Sequence, residues 1–108
     1  MIQEKFFLIK KFSKKAVIRK KERPNIYNLV YTRRAFKDIR ILSHNMKKRI
    51  KLSLEKLQEN PFVLSTKLVD ESLGQYRYRI GDYRVIFDIH GQDIVILRVG
   101  HRREIYRK

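Results

Sequence analysis

Arginine and tyrosine alternate along the last third of this chain, where their types and spacing could bind a nucleic acid. The alternation occupies the segments Tyr76–Arg79 and Tyr83–Arg84, and a dense cluster of the same residue types follows at Gly100–Tyr106. Guanidinium groups neutralise phosphates, and tyrosine rings offer flat faces on which bases stack. The pattern therefore indicates a surface that holds a phosphodiester backbone together with its bases.

Strand-like alternation sorts these residues onto two faces. Between residues 76 and 80, the arginines point one way and the two tyrosines and Ile80 the other. In the next segment Val85, Phe87 and Ile89 form a clean apolar face. Because helices must pack on apolar surface, we expect the opposite face to be open. The groups expected to converge there are Arg77, Arg79 and Arg84, with Arg102, Arg103 and Tyr106 reaching in from the terminal segment. The alternative is a solvated face with scattered salt bridges.

Two helices are predicted to lie against the apolar face. Thr32 can cap the first helix, with Phe36, Ile39 and Leu42 on its buried stripe. Asn45 can cap the second helix, which ends at Asn60-Pro61, and residues 43–45 form a short connection. Its apolar stripe contains Met46, Ile50, Leu54 and Leu57, and its outer face carries Lys47, Lys48, Arg49, Lys51 and Lys56.

Four strands are predicted, at residues 26–31, 76–80, 83–89 and 93–99. The short turns at Gly81-Asp82 and at residues 90–92 make the last three an antiparallel meander. Residues 62–74 are predicted as a loop with a short extended piece at 67–69. The order β-α-α-β-β-β describes an α+β domain in which a helical hairpin packs on a mostly antiparallel four-stranded sheet.

The charge of the chain predicts a polyanionic partner. A length of 108 residues suits one domain, and its formal net charge is +16. Nucleic acid, an anionic membrane surface and an acidic protein are the candidates. No apolar run approaches the ~20 residues of a membrane span, so we expect no membrane partner. The absence of cysteine excludes disulfides and thiolate metal sites, and it fits a location in the cytoplasm.

Residues 1–25 form a basic N-terminal extension that ends at the break provided by Pro24. They carry nine Lys/Arg against two Glu, and Ile2, Phe6 and Ile9 have helical spacing. One interpretation is an amphipathic helix that binds RNA, a membrane surface or an acidic partner. The other is a disordered tail, or residues upstream of the true start.

The motifs at the C-terminal end resemble those of the RelE/ParE toxin superfamily, and within it the RelE-type messenger-RNA endonucleases. The family pattern is Gly-x-Tyr/Trp-Arg-x-Arg, then Gly-Asp-Tyr-Arg, then Val-Gly-His-Arg-x-Glu-x-Tyr. These correspond to residues 74–79, 81–84 and 99–106. The resemblance runs from about Ile26 to Tyr106, so it implies a RelE-like toxin domain at residues 26–108.

This resemblance implies a toxin that enters the ribosomal A site and cuts the bound messenger RNA. The attacking group is the 2′-hydroxyl of the RNA itself, so no metal, cofactor or protein nucleophile is implied. The phosphate-stabilising arginine of the family falls on Arg84, and a second active-site arginine falls on Arg102. The tyrosine that stacks on a base or aids proton transfer falls on Tyr106.

Two strand positions depart from the family pattern, because Arg77 and Arg79 stand where some members have lysine. The pKa of arginine is too high for a general base, so both are assigned to phosphate and ribosomal RNA binding. His101 is then the expected titrating group, since imidazole ordinarily titrates near pH ~6.5. The plainer interpretations are that His101 only hydrogen-bonds Glu104 or a backbone carbonyl, and that Tyr106 packs at the domain edge.

The remaining candidates are basic residues on the helices and turns. Lys47, Lys48 and Lys51 are either a solvated helix face or contacts to ribosomal RNA, and Arg103 belongs with the RNA-binding group. His44 and His90 fall in predicted turns and are expected at the surface.

The resemblance also implies partners. A RelB-like antitoxin would wrap the toxin with an acidic or amphipathic helix, and the free toxin would be a monomer that forms a hetero-oligomer with it. Two alternatives share the fold. One is a ParE-like inhibitor of DNA gyrase, whose relatives usually lack the full His-Arg-x-Glu-x-Tyr ending. The other is a catalytically silent module that binds nucleic acid or protein.

Overall fold

The structure is a computed structural model that describes residues 26–106. The predicted basic N-terminal extension, residues 1–25, lies outside the described residues, as do residues 107–108 at the end of the predicted toxin domain. Among the described helices, none combines the length and the apolar character needed to cross a membrane.

Within residues 26–106 five strands form one sheet. They are β1 (Asn28–Tyr31), β2 (Thr66–Lys67), β3 (Tyr76–Ile80), β4 (Tyr83–His90) and β5 (Asp93–His101). Their order is β1-β5-β4-β3-β2, with β1 parallel to β5 and every other pair antiparallel. The predicted α+β class and meander are confirmed. The strand count was one too low, because residues 66–67 of the predicted loop pair with β3.

Three helices accompany the sheet in the described part of the chain: α1 (Arg33–Arg40), α2 (His44–Glu59) and α3 (Pro61–Leu64). The predicted cap at Thr32 is confirmed, since its Oγ1 accepts a hydrogen bond from the Ala35 N–H at 3.0 Å. The predicted cap at Asn45 is wrong by two residues. Ser43 has the extended backbone of a cap, and its Oγ accepts from the Met46 N–H at 3.2 Å.

The main core lies between the helices and one face of the sheet. Its floor comes from alternate strand residues, among them Tyr31, Val85 and Phe87, and its roof from Ile50 and Leu54 of α2. At one end of β1, the N–H of Tyr27 donates to the Gln58 carbonyl at 3.1 Å and the Gln58 side chain donates to the Tyr27 carbonyl at 2.7 Å. This pair of bonds fixes the end of α2 against the sheet.

The β3–β4 hairpin turns in two residues, Gly81 and Asp82. Gly81 has φ +60°, a value that side chains with a Cβ rarely adopt, and Asp82 does not share it. Glycine at the first central position is typical of the type II′ turn that suits strand twist. The turn therefore joins β3 to β4 at the predicted residues, and Ile80 pairs directly with Tyr83.

A bulge in β5 decides which of its residues face the helices. Ile86 of β4 pairs with Arg98 and Phe87 pairs with Ile96, so Leu97 is the extra residue. Ile96 and Val99 therefore both belong to the main core, although they are three residues apart. Beyond the bulge every side chain of β5 lies on the face opposite to the one that simple alternation predicts.

Candidate functional site

Arg84 lies at the centre of the cationic face. Its Nη1 donates hydrogen bonds to the carbonyl oxygens of Gly81 and Tyr83, each at 2.9 Å. Only 7% of the residue is exposed, and the guanidinium lies just beneath the surface rather than deep in the core. Two backbone acceptors therefore hold the group in one orientation before any ligand arrives.

Burial and the surrounding cations lower the pKa of Arg84. Loss of hydration is the largest cause, followed by the charge of Arg79, with Arg77 and Arg102 acting in the same direction and Tyr106 opposing them. Arg79 is exposed and is the direct cross-strand partner of Arg84. Like charges placed opposite one another repel, so the free protein holds a cluster that an anion would stabilise.

Arg77 and Tyr106 meet at the edge of this cluster. Nη1 of Arg77 lies 3.5 Å from the Tyr106 hydroxyl, at the outer limit of a hydrogen bond. Nε of Arg77 is buried and has no hydrogen-bond partner in the described part of the chain. Tyr106 is 38% exposed, so its ring is not packed into the core. Both side chains can contact a ligand that sits over Arg84.

Arg102 approaches from the terminal segment. Its backbone N–H donates to the Asp82 carbonyl at 2.7 Å, and its Nε lies 3.9 Å from Oδ1 of the exposed Asp82 side chain. The β3–β4 turn therefore fixes both Arg84 and Arg102. We name Arg77, Arg79, Arg84, Arg102 and Tyr106 together the arginine site; the structure brings these five predicted residues together.

The expectation that this face is open is wrong at its centre. Besides Arg84, the side chains of Ile86 and Asp88 on the same face are buried. Residues 101–106 contribute to this cover, since Ile105 is fully buried and its Cδ1 would lie 3.1 Å from a Cβ on Gly100. Gly100 is the register partner of Arg84. A glycine there leaves room for Ile105, and the segment that closes over the strands also delivers Arg102 and Tyr106.

His101 lies apart from the arginine site. It is the register partner of Tyr83, which packs against the main core, and the two rings meet edge to face at 5.6 Å. Its Nδ1 accepts a hydrogen bond from the Arg103 N–H at 3.2 Å. Within residues 26–106, no side-chain hydrogen bond or ion pair joins His101 to the four arginines of the arginine site. The β5 bulge explains this placement. Simple alternation from Ile96 would put His101 on the face of Arg84, whereas the bulge turns it to the core face, where it pairs with Tyr83.

Of the predicted RNA-binding residues, Arg77 and Arg79 lie in the arginine site and the others lie outside it. Arg103 is exposed two residues after His101, and no contact joins its side chain to the arginine site in the described residues. The lysines of α2 lie on the helix side of the sheet, along a groove of about 400 Å³ between α1 and α2. The groove has an apolar floor and a cationic rim. We name it the basic groove; it is lined by Tyr31, Phe36, Ile39, Ile50 and Leu54, and by Arg40, His44, Lys47, Lys48 and Lys51.

Comparison with known proteins decides the family. A family model described as the ParE toxin of the type II toxin–antitoxin system parDE matches residues 29–106. The curated protein Toxin RelE3 of Methanocaldococcus jannaschii is 32% identical over 82 residues, which cover 72% of this chain and 93% of that protein. This chain belongs to the RelE/ParE toxin superfamily. It is accordingly a toxin of the type II toxin–antitoxin class.

Chains in solved toxin–antitoxin complexes resemble this toxin. The toxin–antitoxin complex RelBE2 of Mycobacterium tuberculosis contains a chain with a TM-score of 0.64 and 28% identity, covering 71% of this toxin and 99% of that chain. The RelB–RelE antitoxin–toxin complex of Methanococcus jannaschii contains a chain with a TM-score of 0.57 and 30% identity, covering 70% of this toxin and 93% of that chain. The predicted superfamily is confirmed, and the basic N-terminal extension lies outside the family match.

Sequence reasoning missed one cation near the arginine site of the toxin. Arg49 of α2, assigned to the outer face of the helix, reaches the β3–β4 turn, where Nη2 would lie 2.8 Å from a Cβ on Gly81. A signal was present in the sequence, since a Gly-Asp turn leaves space that a long side chain can fill. Which helix residue fills that space depends on the packing of α2 over β3.

Proposed function

We propose that this toxin is a ribosome-dependent endoribonuclease that cuts messenger RNA in the ribosomal A site. The observation that carries the proposal is the fixed position of Arg84, with both Nη1 hydrogen bonds made to backbone carbonyls and other cations grouped around it. Cleavage by the neighbouring 2′-hydroxyl needs positioning and charge stabilisation more than it needs a protein nucleophile. The arginine site offers both.

In the proposed reaction the 2′-oxygen attacks the adjacent phosphorus as its proton leaves to a base. The bond from phosphorus to the 5′-oxygen breaks, and that oxygen takes up a proton. The products are a cyclic phosphate and a free 5′-hydroxyl. Arg84 and Arg102 stabilise the charge that develops on the phosphate oxygens, while Arg77 and Arg79 hold neighbouring backbone.

Tyr106 is our candidate for stacking on a base and for assisting proton transfer. Its half-exposed ring beside Arg77 can present a face to a nucleobase, and its hydroxyl lies at the edge of the site. His101 could supply the titrating group only if its ring turned away from Tyr83, against which it packs in this structure. We therefore place Tyr106 ahead of His101 for this step.

The antitoxin is proposed to dock an acidic, amphipathic helix in the basic groove. The floor is apolar and the five rim residues are Arg, His or Lys, with no carboxylate among the residues that line the groove. An amphipathic helix can bury its apolar stripe on such a floor while its acids meet the lysines. The antitoxin–toxin complexes among the structural relatives support a partner of this class.

Cleavage of a defined messenger RNA, with and without programmed ribosomes, tests the proposal directly. The ends are mapped by primer extension. We expect cuts inside A-site codons only when ribosomes are present. Intact RNA in both reactions, from folded toxin that is free of antitoxin, would overturn the proposed activity.

A ParE-like inhibitor of DNA gyrase is the second candidate, favoured by the description of the matching family model. A supercoiling assay with purified gyrase separates the two, because an endoribonuclease leaves gyrase active. A third outcome is a toxin that binds ribosomes or RNA, leaves the messenger RNA intact and does not inhibit gyrase. Such a protein would be a silent binding module with the same fold.

A further inference from the structure

Arg49 is held against the turn that organises the arginine site. A Cβ on Gly81 would lie 2.8 Å from Nη2 of Arg49 and 3.2 Å from both its Cζ and its Nη1. The guanidinium therefore packs directly on the glycine, in space that exists only because Gly81 has no side chain. One turn further along α2, the Ser53 carbonyl accepts a hydrogen bond from the Tyr78 hydroxyl of β3 at 3.1 Å, which places this part of α2 over β3.

The same turn binds two members of the arginine site. The Gly81 carbonyl accepts from Nη1 of Arg84 at 2.9 Å, and the Asp82 carbonyl accepts from the backbone of Arg102 at 2.7 Å. Arg49 thus stands on the opposite side of a two-residue turn from the central arginine. The cationic surface continues from the sheet face, around the turn, to the helix.

Within residues 26–106, the charge of Arg49 has no acidic counterpart. It is exposed, and no carboxylate lies within ion-pairing distance of it in residues 26–106. The nearest acid along the turn, Asp82, lies 3.9 Å from Nε of Arg102. Gathering these cations around one turn costs the free protein repulsion, which the negative charge of a bound backbone would offset.

We propose that Arg49 binds an RNA phosphate next to the one held by Arg84, so that the RNA backbone passes around the β3–β4 turn. This inference rests on the proposed function for the presence of RNA at the arginine site. It adds a contact on α2 that lies outside the terminal motifs. Arginine suits the position, because its planar group can pack on Gly81 and still present donors to a phosphate.

The test measures binding of the full-length toxin to a single-stranded 2′-O-methyl RNA, which cannot undergo 2′-hydroxyl attack, over a series of salt concentrations. For Arg49→Ala we expect the slope of log K against log salt to fall by about 0.7, which is about fivefold in affinity near 0.1 M salt. Lys56→Ala is the matched control, since it removes one exposed charge two turns further along α2. Arg49→Lys should recover part of the loss, and melting temperatures verify that each variant folds.

Two results would overturn the proposal. One is an unchanged salt slope for Arg49→Ala. If messenger cleavage falls while the slope is unchanged, Arg49 only positions the turn. The other is an equal loss for Lys56→Ala, which marks a general charge effect. If Arg49→Ala reduces the salt slope but the wild-type toxin does not cut messenger RNA, the nuclease proposal is wrong and the RNA contact at Arg49 is still supported.

Ribosome binding identifies the strand that Arg49 contacts. A loss of affinity for programmed ribosomes alone assigns the phosphate to the messenger, and an equal loss for ribosomes without messenger assigns it to ribosomal RNA. Unchanged affinity for both, beside a reduced slope on the free oligonucleotide, overturns the placement of the contact on the ribosome.

Discussion

The arginine site and the basic groove are both cationic, and they lie on opposite sides of the sheet. In the arginine site, Arg84 donates to two carbonyls, and the terminal segment carries Arg102 over the same turn. In the basic groove, lysines stand along an apolar floor that includes Ile50 and Leu54. One region has a central arginine held in a fixed orientation, and the other has exposed lysines around an apolar floor.

This difference separates two kinds of recognition. Fixed guanidinium groups can meet phosphate oxygens with a defined geometry, as a reaction requires. Flexible ammonium groups around an apolar floor add charge complementarity to a surface whose affinity comes from burial. We therefore expect substitutions in the two regions to affect different activities of the same toxin.

The largest expected effect is the loss of cleavage in Arg84→Ala. Removing a fixed donor to developing charge typically lowers the rate by about 100- to 1000-fold. Primer extension on programmed ribosomes measures the rate, and antitoxin affinity should stay unchanged because Arg84 is absent from the basic groove. Arg34→Ala, whose side chain is 65% exposed on α1, is the arginine control. Cleavage by Arg84→Ala at the wild-type rate would show that the arginine site does not carry the cleavage activity.

The second effect is on antitoxin binding. The double charge reversal Lys47→Glu and Lys51→Glu places two acids on the rim and should weaken the antitoxin by roughly 10- to 100-fold through repulsion. Calorimetry measures antitoxin affinity, and sedimentation measures ribosome affinity of the same variant. Loss of ribosome affinity with intact antitoxin affinity would instead assign the groove to ribosomal RNA.

The third effect tests whether the ring or the hydroxyl of Tyr106 contributes to cleavage at the arginine site. If its ring stacks on a base, Tyr106→Ala should slow cleavage by roughly tenfold or more, since stacking on an aromatic ring contributes ~1–3 kcal/mol. Tyr106→Phe keeps the ring and should stay within a few-fold of wild type. Equal losses in single-turnover cleavage would show that the hydroxyl beside Arg77, and not the ring, is needed.

The smallest effect is on stability in alkali, and it belongs to the core beneath the helices. Burial raises the pKa of Tyr31, as does nearby Glu55, and burial raises the pKa of Tyr78 against an opposing hydrogen bond to Ser53. A raised pKa in the folded state stabilises the fold below the ordinary tyrosine value of about 10, and this contribution is lost as pH rises further. We expect the free energy of unfolding to fall above about pH 10.

Urea unfolding at increasing pH measures this decline. Tyr78→Phe removes one of the two phenols, so its free energy of unfolding should fall less steeply than that of the wild type. Tyr106→Phe changes an exposed phenol and serves as the control. Parallel curves for the wild type and Tyr78→Phe would show that Tyr78 does not titrate with unfolding.

Local features of the sequence determined the strands of the meander, the cap at Thr32 and the pairing of Arg77 with Arg79 on one face. Each depends on residues a few positions apart, so alternation, turn chemistry and capping suffice. The cap at Ser43 was missed because Asn45 is an equally good capping residue. Only the packing of α2 selects between two such residues.

Tertiary structure decided the features that depend on distant parts of the chain. The parallel pairing of β1 with β5 joins segments more than sixty residues apart, as the register of Asn28 with Asp93 records. The bulge at Leu97 reverses the faces of β5, which removes His101 from the arginine site and lets Ile105 close over Gly100. Arg49 meets Gly81 only after α2 has packed on β3. The sequence by itself supplied the cations and their motifs, whereas long-range packing decided which of them meet at one site.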